Sequence, residues 1–317
     1  MIEALEILRA ASDATRLRVL ALLRAMELSV GELAQVLGQS QPRVSRHVKI
    51  LCDAGLTVRR KEGSWVFVAL GRAAVVTPLL DALDAWLPEG DQWGAADRAR
   101  LAAVRADRAA AAAAWFEAHA GEWDAIRSLH VAEEAVEAAM ARTLGGSRID
   151  LLVDIGTGTG RMLELFAPQA RAAIGIDRSS EMLRLARAKL TEGGLDHAEL
   201  RQADLYALPL AAGVADAAVL HHVLHFAQHP GAAIAEAARV LGPGGRLLIC
   251  DFAPHQREEL RSRDAHARLG FSDEQILRWF ADAGLAPVSV ETLDGAELTV
   301  KLWMGRRTGD VQEVKAA

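Results

Sequence analysis

Apolar residues recur at helical spacing near the start of the chain. Leu17, Leu20 and Leu23 follow one another at intervals of three residues, which predicts an amphipathic helix. Ser12 or Asp13 precedes this helix, and either side chain can accept a hydrogen bond from a backbone amide in its first turn. This part of the chain is therefore expected to be helical.

Two short helices separated by a two-residue break are predicted next. Ser29 and Glu32 have the spacing of a capping box at the start of the first helix. On the second helix, Val44, Val48 and Leu51 form one apolar stripe. A short helix, a tight turn and a second helix with basic residues near its start are typical of a helix-turn-helix, whose second helix enters the major groove of DNA.

A hairpin is predicted after this motif. Two β-rich runs flank a turn that contains Gly63, and Arg59, Arg60 and Lys61 precede that turn. Such a hairpin can act as a wing whose cations meet backbone phosphates. The residues expected to contact DNA are Ser40, Gln41, Arg43, Ser45, Arg46, His47, Lys49, Arg59, Arg60 and Lys61.

The order of these helices and the wing resembles the winged-helix domain of the ArsR/SmtB regulators. The resemblance implies a homodimeric repressor that releases a double-stranded DNA operator when an effector binds, with residues 73–87 in the dimer interface. Many members of that family sense metals through cysteines on the helix before the turn, or through Asp and His on a later helix. The corresponding segments here, residues 29–37 and 75–90, contain no cysteine and no histidine respectively. No metal site is therefore predicted in this domain.

Residues 91–146 are rich in alanine and arginine and have high helix propensity. Trp115, Phe116 and Trp123 form an aromatic cluster within them. These rings can close over a cofactor cleft as a lid, or they can bury a connecting helix against the following domain. The sequence does not decide between the two.

From Ile149 onward, apolar strands alternate with helices, which predicts a parallel α/β sheet. The last segment, residues 287–307, reads instead as a strand–turn–strand hairpin. We therefore predict a multidomain chain: an α+β winged helix-turn-helix, then a Rossmann-like α/β domain.

A glycine-rich loop follows the first predicted strand of this domain. Gly156, Gly158 and Gly160 lie between that strand and a helix, where backbone amides can approach a ligand closely. Asp177 follows Gly156 by 21 residues at the end of the second strand, where a carboxylate can accept both hydroxyls of a ribose. Asp177 is also placed to cap the helix that follows, and the two roles are compatible.

These segments resemble the motifs of the class I S-adenosylmethionine-dependent methyltransferases. The resemblance implies a seven-stranded sheet with an antiparallel last strand, which binds S-adenosylmethionine or S-adenosylhomocysteine. By this resemblance Asp154 and the glycine loop hold the methionine portion, Asp177 the ribose, and Asp204 with Leu205 the adenine edge, while Met182 packs on the adenine face. The expected cofactor-binding residues are Asp154, Gly156, Gly158, Gly160, Asp177, Arg178, Met182, Asp204 and Leu205.

Four histidines surround the end of the fourth predicted strand of this domain. His221, His222 and His225 are candidates for a general base or for contacts with a methyl acceptor, and ordinary hydrogen-bonded histidines are the alternative. His225 and His229 are four residues apart, but no paired carboxylate or cysteine accompanies them in the sequence. No metal site is therefore predicted here either, and the acceptor is not specified.

Composition adds a charge asymmetry to this picture. The net charge is −6, yet residues 1–70 carry ten Lys or Arg against seven Asp or Glu. A basic head on an acidic body favours a nucleic-acid partner, although a solvated charged surface is the alternative. Two distant cysteines, Cys52 and Cys250, suit a reducing compartment, and no apolar run approaches the roughly 18 residues of a membrane span. A cytoplasmic protein with no membrane partner is expected.

The sequence thus predicts a winged-helix DNA-binding and dimerisation domain over residues 1–90, a helical linker or lid over 91–146, and a methyltransferase domain over 147–317. Two functions follow. In the first, the chain is a repressor whose methyltransferase domain senses S-adenosylmethionine or S-adenosylhomocysteine, with methionine-cycle genes as targets. In the second, the chain is an active small-molecule methyltransferase with an autoregulatory or dimerising head.

Overall fold

The structure is a computed structural model of the chain. The structure describes residues 2–62, 65–86, 94–104, 106, 118, 133–145, 148–295 and 297–308. The chain divides into two compact units, residues 1–110 and 111–317. The aromatic cluster of Trp115, Phe116 and Trp123 lies outside the described residues.

The first unit is a helical domain with a small antiparallel sheet. Its elements are α1 (Ile2–Ala11), α2 (Ala14–Ala25), β1 (Leu28–Ser29), α3 (Val30–Leu37), α4 (Gln41–Asp53), β2 (Thr57–Glu62), β3 (Trp65–Leu70) and α5 (Ala73–Trp86). The strand order is β1-β3-β2, so the two-residue strand β1 adds to the predicted hairpin. This unit has the predicted helix-turn-helix and wing.

Local capping explains where these helices begin. Asp13 is the N-cap of α2 and accepts a hydrogen bond from the amide of Arg16. The capping box at the start of α3 is formed, because Ser29 and Glu32 each accept a hydrogen bond from the other's backbone amide. Gly38 ends α3 in the left-handed conformation, with φ of 66°.

A helical stretch over residues 94–104 also packs within the first unit. Leu101 and Val104 are buried in the same apolar cluster as the helices of the helix-turn-helix. Both carboxylate oxygens of Asp97 accept hydrogen bonds of 2.6 Å from the guanidinium of Arg18. Part of the segment expected as a linker is therefore held by the first unit, and the three-segment division itself stays a prediction.

The second unit is a seven-stranded sheet with helices on both faces. Its helices are α6 (Glu133–Leu144), α7 (Arg161–Phe166), α8 (Ser180–Glu192), α9 (Pro230–Val240), α10 (Glu259–Arg263) and α11 (Asp273–Asp282), with short 3-10 turns at Ala167–Gln169 and Leu224–Phe226. Its strands are β4 (Ile149–Ile155), β5 (Ala170–Asp177), β6 (Ala198–Gln202), β7 (Ala215–His221), β8 (Leu241–Phe252), β9 (Leu285–Asp294) and β10 (Thr299–Arg307).

The strand order of this sheet is β6-β5-β4-β7-β8-β10-β9. Strand β10 runs antiparallel to both of its neighbours, whereas β4 to β8 pair in parallel. Consecutive strand residues belong to two different apolar clusters, as with Leu152 and Val153 of β4. The sheet is therefore covered on both faces, which accounts for the near-continuous apolar strands of the sequence.

Within the described part of the chain, no helix combines the length and the apolar character that a bilayer crossing requires.

Candidate functional site

The glycine loop leaves the end of β4 and turns into α7. The amides of Gly156 and Thr157 both donate to the carbonyl oxygen of Ile176, at 2.7 and 2.9 Å, which ties the loop to the neighbouring strand β5. Gly156, Gly158 and Gly160 have φ values of 74°, 53° and 88°, a region that side chains rarely adopt. The loop thus requires glycine at the positions where a ligand would approach the backbone.

Asp177 ends β5 beside this loop. Its carboxylate accepts hydrogen bonds from the amides of Gly158 at 2.9 Å and Ser179 at 2.8 Å, one at each oxygen. Burial raises the pKa of Asp177 above its ordinary value, and the backbone amides oppose that shift. Each oxygen retains a lone pair, so the carboxylate can still accept from a ribose diol. The N-cap of α8 is Ser179 and not Asp177, so the capping role predicted for Asp177 is wrong.

Asp154 lies near the end of β4, just before the loop, and its side chain is almost fully buried. The hydroxyl of Thr157 donates to its Oδ2 at 2.5 Å. Sequence reasoning missed Thr157, although its place three residues after Asp154 is the signal that points to it. A buried carboxylate that accepts from the loop's own hydroxyl stabilises the loop conformation.

The other expected cofactor residues lie along the neighbouring strand ends. Met182 is buried on α8, Leu205 is half-buried after β6, and Asp204 is exposed there. The Oδ1 of Asp204 accepts from the amide of Tyr206 at 3.0 Å. Arg178 is exposed, and its carbonyl oxygen accepts from Gln202 at 3.0 Å. The carboxyl ends of β4, β5 and β6 lie side by side in the sheet, so the acceptor carboxylates stand where a nucleoside would cross these strand ends.

The predicted histidine group lies at the ends of β7 and β8. His221 pairs with Cys250 in the register of these two parallel strands, and the amide of His222 donates to the carbonyl oxygen of Cys250 at 2.8 Å. The backbone of His222 has a positive φ of 53°, which is uncommon for a residue other than glycine. The next turn then returns His225 toward β8.

Asp251 is the partner that the fold gives to His225. The Nδ1 of His225 lies 2.8 Å from the Oδ1 of Asp251, and the His225 amide donates to Oδ2 at 3.2 Å. Burial raises the pKa of Asp251 to about 6, against the opposing effects of His222 and of backbone amides. The ring of His266, from the segment after β8, lies 4.3 Å from that of His225, centre to centre.

The expectation of no metal site at these histidines depends on the absence of a nearby carboxylate or cysteine in the sequence. The sequence shows no carboxylate or cysteine near His225 and His229, yet Cys250 and Asp251 lie beside the histidines in the fold. His229 is not part of this group, because its ring lies 5.8 Å from that of Tyr206 and its amide donates to the tyrosine hydroxyl. Pairing of β7 with β8 brings Cys250 and Asp251 next to the histidines, and sequence spacing does not reveal that register.

The predicted DNA-binding face occupies the exposed side of α4. Val44, Val48 and Leu51 are fully buried, as the apolar stripe predicts. Ser45 and His47 are half-buried, and Ser40 is the exposed N-cap, although its side chain makes no capping hydrogen bond. The exposed residues expected at DNA on this helix are Gln41, Arg43, Arg46 and Lys49.

A groove with a volume of about 450 Å³ lies between α3, the start of α4 and the wing. Gln41, Ser45 and Arg59 line it. A guanidinium N–H of Arg59 donates to the carbonyl oxygen of Ser45 at 3.1 Å, so wing and helix are joined there. The structure thus brings these three predicted residues onto one surface.

The remaining cations differ in their surroundings. Arg60 is half-buried and forms an ion pair with Glu27, whereas Arg59 and Lys61 are exposed on the alternate positions of β2. Lys49 forms an exposed ion pair with Asp53 at 2.8 Å. His47 lies 3.6 Å from Asp13; burial lowers its pKa, although the aspartate opposes that shift. Alternation along the wing strand was the signal available for separating Arg60 from its neighbours.

Comparison with known families matches each unit separately. Residues 13–57 match the family model of bacterial regulatory proteins of the ArsR family, and residues 153–249 match that of a methyltransferase domain. The arsenical resistance operon repressor of Escherichia coli is 40% identical over 67 residues, which cover 21% of this chain and 57% of the repressor.

The second unit is similar to several methyltransferases. The ubiquinone/menaquinone biosynthesis C-methyltransferase UbiE of Syntrophotalea carbinolica is 39% identical over 157 residues, covering 46% of this chain and 65% of that enzyme. The phosphatidylethanolamine N-methyltransferase of Cereibacter sphaeroides is 32% identical over 142 residues, covering 44% of this chain and 68% of that enzyme. The chain spans about half to two thirds of the length of the curated relatives it matches first, 45% and 65%.

The fold is also found among solved structures. A chain from the complex between the Trm112 methyltransferase activator of Haloferax volcanii and a methyltransferase superposes with a TM-score of 0.53 at 22% identity, covering 61% of this chain and 97% of that chain. The strand order described above is that of this fold. The chain belongs to the methyltransferase family, and joins an ArsR-family winged helix-turn-helix domain to a class I methyltransferase domain that binds S-adenosylmethionine or S-adenosylhomocysteine.

Proposed function

We propose that the protein is a transcriptional repressor whose methyltransferase domain acts as its ligand sensor. The observation that carries this proposal is the presence, in one chain, of an exposed cationic recognition helix and a glycine loop tied to Asp177. S-adenosylhomocysteine or S-adenosylmethionine would bind at the loop and shift the protein between DNA-bound and released states. Genes of the methionine cycle are the proposed targets.

In this proposal the protein acts as a homodimer on a double-stranded operator. Leu5 and Leu8 of α1 are 48% and 54% exposed, and large apolar side chains on one helix favour burial against another subunit. A two-fold dimer would place two copies of α4 one helical turn apart on DNA. The twofold symmetry of the operator follows from this arrangement.

Within each subunit, Arg43 and Arg46 are the proposed base and phosphate contacts. Both are exposed on α4, and within the described part of the chain their side chains form no ion pair or hydrogen bond. Arg59 and Lys61 are proposed to meet phosphates from the wing, supported by their exposure. Arg60 is better placed to hold the wing through Glu27 than to reach DNA.

The DNA-binding part is tested by fluorescence anisotropy on the protein's own upstream DNA. Arg46→Ala is expected to weaken operator binding by about 1–3 kcal/mol, because a base or phosphate contact of that size is lost. Arg24→Ala is the matched control, since Arg24 is an exposed arginine of the same unit but pairs with Asp84 on α5. Equal losses for the two variants would contradict the assignment of α4.

The sensing part is tested by repeating the titration with each nucleoside ligand. Addition of S-adenosylhomocysteine or S-adenosylmethionine is expected to change operator affinity in the wild type and in Arg24→Ala. Asp177→Asn is expected to bind DNA normally yet to lose that response, because the ribose acceptor is weakened. If neither ligand changes wild-type affinity, the sensing role fails.

A second candidate function is methyl transfer to a small molecule. The buried group of His221, His222 and His225 supports it, since Val223 of the same segment packs against the glycine loop. These histidines are the proposed acceptor-side residues, positioned to contact the acceptor or accept its proton. An acceptor screen with labelled methyl groups tests this function, and absence of transfer to any acceptor class would count against it.

A further inference from the structure

Two neighbouring strand ends in the methyltransferase domain bring five side chains of metal-binding type together. His221 ends β7 and His222 follows it, Cys250 and Asp251 lie near the end of β8, and His225 follows on a 3-10 turn. All five are buried, with exposed fractions of 8% or less. Thiol, imidazole and carboxylate groups are costly to bury together unless hydrogen bonds or a shared ion compensate for the lost water.

The ligand atoms lie at distances suited to a metal ion. One atom each from His222, His225 and Asp251 lies within 4.8 Å of the other two, and the same holds for His221, His222 and Cys250. Ligands around a tetrahedral zinc ion are separated by about 3.4 Å, given metal–ligand bonds near 2.1 Å. Small side-chain movements would therefore close either set around one ion.

The backbone at His222 provides a second, independent observation. Its φ of 53° lies in the left-handed region, which few residues other than glycine adopt, although Asn, Asp and His do so more often than the rest. The conformation takes the chain out of β7 and is followed by the turn that returns His225 to Asp251. Strained backbone of this kind concentrates at functional sites, because the surrounding structure must maintain it.

We propose that His222, His225 and Asp251 bind a divalent transition-metal ion of the zinc type. Two imidazoles and one carboxylate suit zinc and its neighbours rather than magnesium or calcium, which prefer oxygen ligands. The set matches three protein ligands with further positions open to water or to a substrate atom. His221 and Cys250 share His222 with this set and form the alternative ligand pair.

The site adjoins the glycine loop. A Cβ on Gly156 would lie 2.5 Å from Cγ2 of Val223, the residue directly after His222. An ion held here could therefore bind a heteroatom of a molecule next to the methyl donor and polarise it. The assignment of the ligands depends neither on DNA binding nor on methyl transfer, so its test is separate from those of the proposed functions.

The test is a Co²⁺ titration of the full-length chain after treatment with a chelator, followed by displacement with Zn²⁺. The wild type is expected to bind one Co²⁺ per chain, with visible absorption typical of low-coordinate nitrogen and oxygen ligation. His222→Asn and Asp251→Asn are expected to weaken binding more than about tenfold, since even the loss of an outer partner costs that much. Asn is chosen at His222 because it tolerates positive φ.

Controls separate ligation from folding. His229→Asn is the matched control, since His229 lies on the same segment but contacts Tyr206. It is expected to bind Co²⁺ as the wild type does. Each variant is also measured for thermal unfolding and S-adenosylhomocysteine binding. A variant that shows no cooperative unfolding and no nucleoside binding is misfolded, and is replaced by His225→Asn.

Three results would overturn the proposal. The first is an absence of stoichiometric Co²⁺ binding by the wild type, and the second is wild-type affinity in folded His222→Asn and Asp251→Asn. The third is a sulfur-to-cobalt charge-transfer band that Cys250→Ser removes while Asp251→Asn retains full affinity. That last result would assign the ion to His221, His222 and Cys250 instead.

Discussion

Gly156 is the residue where the glycine loop and the histidine segment meet. Its φ of 74° disfavours a side chain, and Val223 fills the space that a Cβ would need. The residue therefore serves two purposes, since it permits the turn of the loop and allows the segment after β7 to pack against it. A methyl group at this position must displace either Val223 or the loop.

Gly156→Ala is therefore expected to lower the affinity for S-adenosylhomocysteine at least tenfold, measured by isothermal titration calorimetry. Gly194→Ala is the matched control, because Gly194 has a similar φ of 65° but no atom within 4 Å of the added Cβ. The control should cost about 1 kcal/mol of stability from backbone strain, with unchanged affinity. Equal affinity losses in both variants would mean that strain, rather than the contact with Val223, sets the requirement.

Asp177 gives the cofactor site a defined pH dependence. Burial raises the pKa of this carboxyl in the folded protein, so the proton is bound more tightly there than in the unfolded chain. Its contribution to stability is thus present below the unfolded pKa and is lost as pH rises through the folded one. Ligand affinity instead increases as pH rises, because the hydroxyls of a ribose donate more strongly to the ionised carboxylate.

Affinity for S-adenosylhomocysteine is accordingly expected to fall as pH decreases, beginning above the ordinary aspartate value of 3.8. Asp177→Asn should bind more weakly near neutrality and should lose most of this acid dependence, because it cannot titrate. Calorimetric titrations over a pH series measure both properties. An unchanged pH profile in the variant would assign the dependence to another group.

At the scale of the element, a buried carboxylate adds to the apolar packing that holds the helical stretch over residues 94–104 within the first unit. Burial alone would raise the pKa of Asp97, but hydrogen bonds from Arg18 and Arg100 lower it. Its stabilising contribution is therefore present above the unfolded pKa and is lost as pH falls through the lowered value. The ionised form is the one that this packing requires.

Asp97→Ala is expected to reduce the local free energy of unfolding of this unit by about 3 kcal/mol, because the Arg18 guanidinium loses its bidentate partner in a largely buried site. Hydrogen–deuterium exchange of the α2 amides in the full chain measures the change. Asp84→Ala is the control, since Asp84 pairs with Arg24 on the exposed surface, and should leave exchange almost unchanged. Similar effects of both variants would contradict the role given to burial.

The elements that sequence reasoning predicted are those with local causes. The capping box at Ser29 and the buried stripe on α4 each depend on residues within a few positions of one another. Strand β1 was missed, because two residues carry no period and become a strand only by pairing with β3. The partnership of His225 with Asp251 was missed for the same reason, since it depends on the register between β7 and β8.

At the scale of the whole molecule, the proposed sensor makes a thermodynamic demand on both sites. If bound S-adenosylhomocysteine changes operator affinity by some factor, bound operator must change affinity for the nucleoside by the same factor. Couplings of this kind are typically 1–3 kcal/mol, or about 5- to 150-fold. This equality of the two factors is a thermodynamic requirement and does not depend on how the two sites are structurally connected.

Affinity for S-adenosylhomocysteine is therefore expected to differ between free protein and protein saturated with operator, by the factor by which the ligand shifts operator binding. Calorimetry measures the first quantity and anisotropy the second, at one salt concentration, because salt alone changes DNA affinity. Arg46→Ala, titrated at a DNA concentration that leaves it unbound, should show the free-protein affinity throughout. Equal nucleoside affinity with and without operator would mean that the two domains act independently, and would favour methyl transfer as the function of the second.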